Sequence, residues 1–211
     1  MTGRTTSTIA SIVGLTCLAI VALLTVVVVL ADGSTSVDES LSSWVALHRT
    51  GWVVSAMEVV TIAGSATAIW LVGAGCALWG AARHDWRPLW FVIPTALVAS
   101  LATNLMKLVV ARPRPGDDIA LRHFSGYSFP SGHATTAAAL WGAIAVVLVR
   151  TGRLRPRTAV AAWLAIAVLV SASRIVLGAH WLTDVVAGTA VGAGCVAVAV
   201  LLTDPSTPSE A

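Results

Sequence analysis

The sequence predicts an all-α integral membrane protein, a bundle of about six transmembrane helices. Three observations predict it. Mean hydropathy is +0.86, and 57% of residues are hydrophobic against 11% charged, too little charge to cover a soluble surface. The apolar residues fall into runs of about twenty, the length of one bilayer crossing. The strongly polar residues lie between those runs or at their ends, as the cost of intramembrane charge requires. The formal charge of +3 is small and scattered, which argues against a nucleic-acid partner. The bilayer itself is the expected partner.

The first run, near Ile9–Ala31, follows Arg4. It is longer than a signal-peptide core and lacks a convincing small-x-small cleavage site, so it reads as a retained helix. Further runs lie near Val53–Ala81, Leu89–Val110, His133–Val149, Thr158–Leu177 and His180–Leu202. The second is long enough to tilt, and the fourth is short. The connections leave no room for a soluble domain, so residues 1–211 are expected to form one transmembrane domain with tails at 1–8 and 203–211. Cys17, Cys76 and Cys195 each sit inside an apolar run and read as small buried hydrophobes.

Loop charge predicts orientation. Arg83 and Arg87 follow the second run, and Arg150, Arg153, Arg155 and Arg157 follow the fourth. The segment between the first two runs carries Asp32, Asp38 and Glu39 against Arg49. Positive residues in short loops favour the cytoplasm, which places both termini inside, including Asp204 and Glu210. The protein is therefore expected to be a multi-pass cell-membrane protein. The connection from Arg112 to Gly132 falls outside although it carries Arg112, Arg114 and Arg122, so those arginines need another use.

Polar residues concentrate in three segments. The first holds Lys107 and Arg112-Pro113-Arg114-Pro115, the second Pro130-Ser131-Gly132-His133, and the third Ser173-Arg174, His180 and Asp184. Helix parity brings all three to the outer face. Lys107, Arg114 and Arg174 together need an anion, and arginine forks suit phosphate oxygens. Ser131, Gly132 and the start of the fourth helix add free backbone N–H groups. His180 and Asp184, four residues apart on one expected helix, share a face. Asp184 would fix the imidazole tautomer and leave the other nitrogen free to attack. His133 is the candidate general acid. The arrangement calls for no metal and no cofactor.

Lys107-x6-Arg114-Pro115, Pro130-Ser131-Gly132-His133 and Ser173-Arg174-x5-His180-x3-Asp184 resemble the three-part signature of the type 2 phosphatidic acid phosphatase family. The resemblance runs from about Leu89 to Leu202. It implies a metal-independent phosphatase in which His180 becomes a phosphohistidine supported by Asp184, and His133 protonates the leaving group. Lys107, Arg114, Ser131, Gly132, Ser173 and Arg174 would hold phosphoryl oxygens. The implied substrate is a lipid phosphate, such as phosphatidate, phosphatidylglycerol phosphate or polyprenyl diphosphate, with a lean to the last. The rival readings are a lipid-linked phosphotransferase and a non-enzymatic lipid or anion carrier.

Outside the motifs, Arg112 is expected at lipid headgroups or a second substrate phosphate. Glu58 is read as an interfacial carboxylate, or alternatively as a partner for an active-site cation or a substrate contact. Arg122, His123 and Tyr127 read as an exposed loop. Trp52, Trp86, Trp90 and Trp181 read as interfacial anchors, and Gly188 and Gly192 as a close-packing pair within the bundle.

Overall fold

The computed structural model describes residues 3–203, so Asp204 and Glu210 lie outside the described residues. Among the described residues, eight α-helices follow in order: α1 Gly3–Leu30, α2 Ser36–His48, α3 Gly51–Val60, α4 Ala66–Arg83, α5 Arg87–Val110, α6 Gly132–Arg150, α7 Pro156–Val176 and α8 Leu182–Leu202. A 3₁₀ turn, Thr61–Gly64, joins α3 to α4. The fold is all-α. Five helices, α1 and α5 to α8, are long and apolar enough to cross a membrane, and the bent pair α3–α4 would make a sixth. The helix expected from Ile9 begins at Gly3, inside the tail predicted at 1–8.

Small residues set the packing. Ala134, Ala137, Ala138 and Ala139 of α6, with Ala187 of α8, are fully buried. A Cβ on Gly188 would stand 2.5 Å from the Ser131 carbonyl oxygen, and one on Gly192 would stand 2.4 Å from that of Thr135. The two glycines therefore let α8 lie directly against the backbone of α6, as expected of a small-residue pair in lipid, where close backbone approach replaces the hydrophobic drive. α1 packs on α8, with Gly14 facing Ala197 and Cys17 facing Gly194. Much of the rest of α1 is exposed, including Leu15, Leu18, Leu23 and Leu30, which suits contact with lipid. The three cysteines are unpaired.

Two expectations need correction. The run Val53–Ala81 is not one helix but the pair α3 and α4, bent by 51° at a break. At the break a Cβ on Gly64 would stand 2.5 Å from the His133 carbonyl oxygen and 2.7 Å from Val170, and Ser65 is extended. The chain gives up its ladder there to seat against α6 and α7. Hydropathy continues unbroken across this point, so no composition signal marks it. The second correction is α2, a helix where only a connection was expected. It begins with a reciprocal cap between Thr35 and Asp38. Arg49 then donates to the Val176 carbonyl at 2.9 Å, tying α2 to the end of α7.

The two ends of the bundle differ. At one, Arg83 and Arg153 both lie over the Trp79 ring, at 5.2 and 4.2 Å, which joins the α4–α5 and α6–α7 connections. At the other, the end of α5, the start of α6, the end of α7 and the start of α8 converge. α2 lies at that end.

Candidate active site

Four helix ends build the site. α5 carries Lys107 in its last turn and ends at Ala111, whose φ of 50° is left-handed. Pro113 and Pro115 then keep the chain from resuming a helix. The loop returns to α6 through Ser128, whose N–H donates to the Arg112 carbonyl at 2.9 Å and whose hydroxyl donates to the Pro113 carbonyl at 2.8 Å. Ser131 is the N-cap of α6, and its own N–H donates to the Asp184 carbonyl at 2.9 Å. Gly178, at φ +68°, turns the chain between α7 and α8 where a Cβ would meet the Ile119 carbonyl oxygen at 2.4 Å.

His180 and Asp184 meet, but not as two residues on one helix. His180 lies in the turn before α8, whose N-cap is Trp181. Asp184 sits at the third helical position and reaches back. Its Oδ2 accepts from the Trp181 N–H at 3.0 Å and faces His180 Nδ1 at 3.3 Å. Both side chains are buried. On the other edge of the imidazole, Nε2 lies 3.2 Å from Arg114 Nη1. Burial, opposed by Asp184 and reinforced by Arg114 and Lys107, pushes His180 down to about 4. The ring is thus neutral at pH 7, with Nδ1 committed to a carboxylate and Nε2 turned towards a guanidinium.

The other predicted site residues lie at the same end of the bundle. Arg114 also donates to the Ala179 carbonyl at 2.7 Å and the Gly126 carbonyl at 2.9 Å, and burial pulls its guanidinium below its ordinary value, against the attraction of Asp184. Lys107 donates to the carbonyls of Tyr127 and Ser128. Arg174 is buried; its Nη1 donates to the Thr61 hydroxyl at 2.9 Å, while its Nε has no partner. The Ser131 hydroxyl is likewise buried and without a partner. Ser173 is fully buried, with its hydroxyl donating to the Val170 carbonyl of its own helix. Gly132 and His133 open α6, where the first N–H groups have no intrahelical acceptor. Among the described residues no group of three or more His, Cys, Asp or Glu is placed to hold a metal ion.

Two expectations fail here. Arg112 is buried among protein groups and is not exposed to headgroups. Its side chain is 1% exposed and lies between Asp38 and Asp184. Glu58 is exposed on α3, in keeping with an interfacial carboxylate, and it forms no ion pair with an active-site cation among the described residues. Trp181 is a buried neighbour of the site, not an interfacial anchor. Its ring lies under Arg112 at 5.7 Å, and its indole donates to the Pro113 carbonyl at 3.2 Å. Trp52, Trp86 and Trp90 are exposed. Arg122, His123 and Tyr127 are exposed too.

Two residues of the site were not anticipated. Phe124 brings its ring within 5.8 Å of Arg114, 5.4 Å of Arg174 and 5.3 Å of Arg122, so it covers the guanidinium cluster from the loop side. Nothing in the local pattern marks it. Asp38 is fully buried against Arg112 and Thr183. Thr35-x-x-Asp38 is a helix-start signature that could have placed α2, though not its ion pair.

The sequence pattern of the PAP2 superfamily matches residues 88–208. Over 165 residues the chain is 33% identical to phosphatidylglycerophosphatase B of Bacillus subtilis strain 168, covering 74% of this chain and 78% of that protein. It is 34% identical over 111 residues to a lipid A 1-phosphatase of Rhizobium etli, covering 48% of this chain and 44% of that one. The chain thus spans less than half the length of the second relative. In structure it resembles a crystallised transmembrane PAP2-type phosphatidylglycerolphosphate phosphatase from Bacillus subtilis. The TM-score is 0.76 at 27% identity, covering 88% of this chain and 93% of that one.

Proposed function

The chain belongs to the PAP2 superfamily as a multi-pass membrane phosphatase, and on that premise we propose that it removes the terminal phosphate of a lipid through a phosphohistidine at His180. The observation that carries this reading is the clamped imidazole: Nδ1 faces Asp184 at 3.3 Å while Nε2 faces Arg114 at 3.2 Å. A ring held only for structure has no need of a free nitrogen turned into a cationic cluster. The unpartnered Arg174 Nε and Ser131 hydroxyl supply donors for an anion, since buried polar groups ordinarily find partners.

In this reading Lys107, Arg114, Arg174 and the N–H groups at Gly132 and His133 hold the non-bridging oxygens, with the Ser131 hydroxyl beside them. Ser173 contributes through its position in the last turn of α7, its hydroxyl being already committed. The Nε2 lone pair forms a bond to phosphorus as the bond to the leaving oxygen breaks. His133 gives that oxygen a proton. The Nδ1 proton stays shared with Asp184, which stabilises the imidazolium. Water then attacks phosphorus and His133 takes its proton. The N–P bond breaks, its electron pair returns to Nε2, and inorganic phosphate leaves.

A lipid fits a site at the tips of the spanning helices, because the headgroup reaches the cations while the tail stays in the bilayer. Phosphatidylglycerol phosphate, phosphatidate and polyprenyl diphosphate all present a terminal phosphoryl group. Arg83 and Arg153 at the opposite end support an orientation with this face outside the cytoplasm. The test is phosphate release by detergent-purified protein in the presence of chelator, with the three lipids side by side. We expect release that falls by at least a thousandfold in His180→Ala. Release that persists in the variant overturns His180 as nucleophile, and three intact lipids overturn the hydrolase reading in favour of phosphoryl transfer to another acceptor.

A further inference from the structure

We propose that Asp38 and Arg112 are positioning residues for the histidine chemistry, acting on His180 through Asp184; this rests on the phosphohistidine reading above. Arg112 is buried, and every donor nitrogen of its fork is committed. Nε donates to the Gly33 carbonyl, Nη1 to Asp184 Oδ1 and, at 2.7 Å, to the Thr183 hydroxyl, and Nη2 to Asp38 Oδ2 at 2.7 Å. Four of its five N–H groups are thereby engaged, and the side chain is 1% exposed, which leaves little of it for a substrate. Asp38 is equally committed. Its Oδ1 accepts from the Thr183 N–H at 2.9 Å, and its Oδ2 accepts from the Thr183 and Thr35 hydroxyls, each at 2.9 Å.

The chain of contacts therefore runs from α2 through Asp38, Arg112 and Asp184 to His180. Its first effect is geometric. Asp184 Oδ1 is pinned by Arg112 and Oδ2 by the Trp181 N–H, so the carboxylate plane is set before it meets Nδ1. A fork contacting both carboxylates can do this; a point charge on a flexible stem cannot. Its second effect is electrostatic. An arginine paired with Asp184 alone would cancel the charge that an imidazolium needs when Nε2 takes the phosphoryl group. Asp38 adds a second carboxylate to the same guanidinium and leaves the buried triad net negative beside the ring. Lys107, Arg114 and Arg174 face the phosphoryl side, so they do not replace that negative charge.

Asp38→Asn keeps the shape of the side chain and removes its charge. With dioleoyl phosphatidate in detergent micelles, kcat is expected to fall about tenfold to a hundredfold, the size typical of partners that orient a catalytic group. KM should stay within about twofold, because no substrate contact is lost. The decisive comparison is a cycle with Asp184→Asn. Acting through Asp184, Asp38→Asn should change kcat by less than about twofold in the Asp184→Asn background. A wild-type kcat in Asp38→Asn, or an equal loss in both backgrounds, overturns the proposal and leaves a purely structural clamp. If Asp38→Asn does not fold, Arg112→Lys, which keeps the charge without the fork, is read in the same cycle by the same criteria. If wild-type protein releases no phosphate from any lipid, the phosphatase reading fails. Orthovanadate, a five-coordinate mimic, then serves as the probe. Its stabilisation of the protein against heat should need about tenfold more ligand in Asp38→Asn, and unchanged affinity overturns the positioning role.

Discussion

The two sides of the His180 ring are built on opposite principles. Towards Nδ1, the carboxylates of Asp184 and Asp38 and the fork of Arg112 are all hydrogen-bonded. Hydrogen bonds and burial compete at Asp38. Burial raises its carboxyl, but the Thr183 N–H, Arg112 and the Thr183 hydroxyl outweigh that and hold it below its ordinary value. On the phosphate-binding side proposed above, the Arg174 Nε and the Ser131 hydroxyl are buried without partners among the described residues. A saturated network holds its members in place, whereas an unsaturated one is ready to bind. The same residue type serves both: Arg112 is used up by the protein, and Arg174 is only partly so.

This contrast gives the largest expected effect. Arg112→Gln leaves two buried carboxylates without their cation, which should cost about 3–5 kcal/mol of stability. Arg174→Gln removes a partly unpaired donor and should change stability by less than about 1 kcal/mol. It should nonetheless cut kcat/KM by about a hundredfold to a thousandfold, as loss of an oxyanion donor does. Thermal unfolding and phosphate release on the two variants check both halves. Equal destabilisation of the two would erase the distinction.

A second, smaller effect concerns pH. His180 is held at about 4 in the folded protein, below its ordinary value of about 6.5. As pH falls from 6.5 towards 4, the unfolded chain takes up a proton that the folded chain refuses, so stability is lost across that window. Asp38, held below its ordinary value, adds stability above that value and loses it in acid, so the two act in the same direction. The free enzyme should keep a nucleophilic Nε2 down to about pH 4–5, which places the acid limb of kcat/KM well below 6.5. A limb at 6.5 would show that the ring is wetter than its surroundings imply. The smallest effect is that of Glu58→Gln. Glu58 is exposed on α3 and belongs to neither side, so kcat/KM should stay within about twofold. A tenfold loss would give it a place in the site.

How much was legible follows the same division. The Nε2 side lies in three short segments with fixed internal spacing, and helix parity alone brings Lys107, Arg114, His133, Arg174 and His180 to one end. The Nδ1 side was only half legible. Asp184 follows His180 closely, but the carboxylate that shares Arg112 lies on a thirteen-residue helix, which a twenty-residue window overlooks. No local pattern links positions 38 and 112. The break at Gly64 was hidden for a related reason. Its cause is the carbonyl of His133 across the bundle, and a sequence read along its length shows only continuous apolarity. Arg112 was misplaced because a charge count sees a cation in an outer loop and not the two anions around it.

The contact between Asp38 and Thr183 spans 145 residues, and this orders events during synthesis. When α2 emerges, neither Arg112 nor Thr183 yet exists, so Asp38 has only water and its own cap to satisfy it. The buried setting of that carboxylate is therefore complete only once Thr183 and α8 are present. A chain halted before residue 180 would possess Lys107, Arg114 and Arg174 without the proposed nucleophile, and α2 would lack its Thr183 partner. The arrangement proposed for catalysis thus needs α8, and protection of α2 from protease would report that α8 is in place.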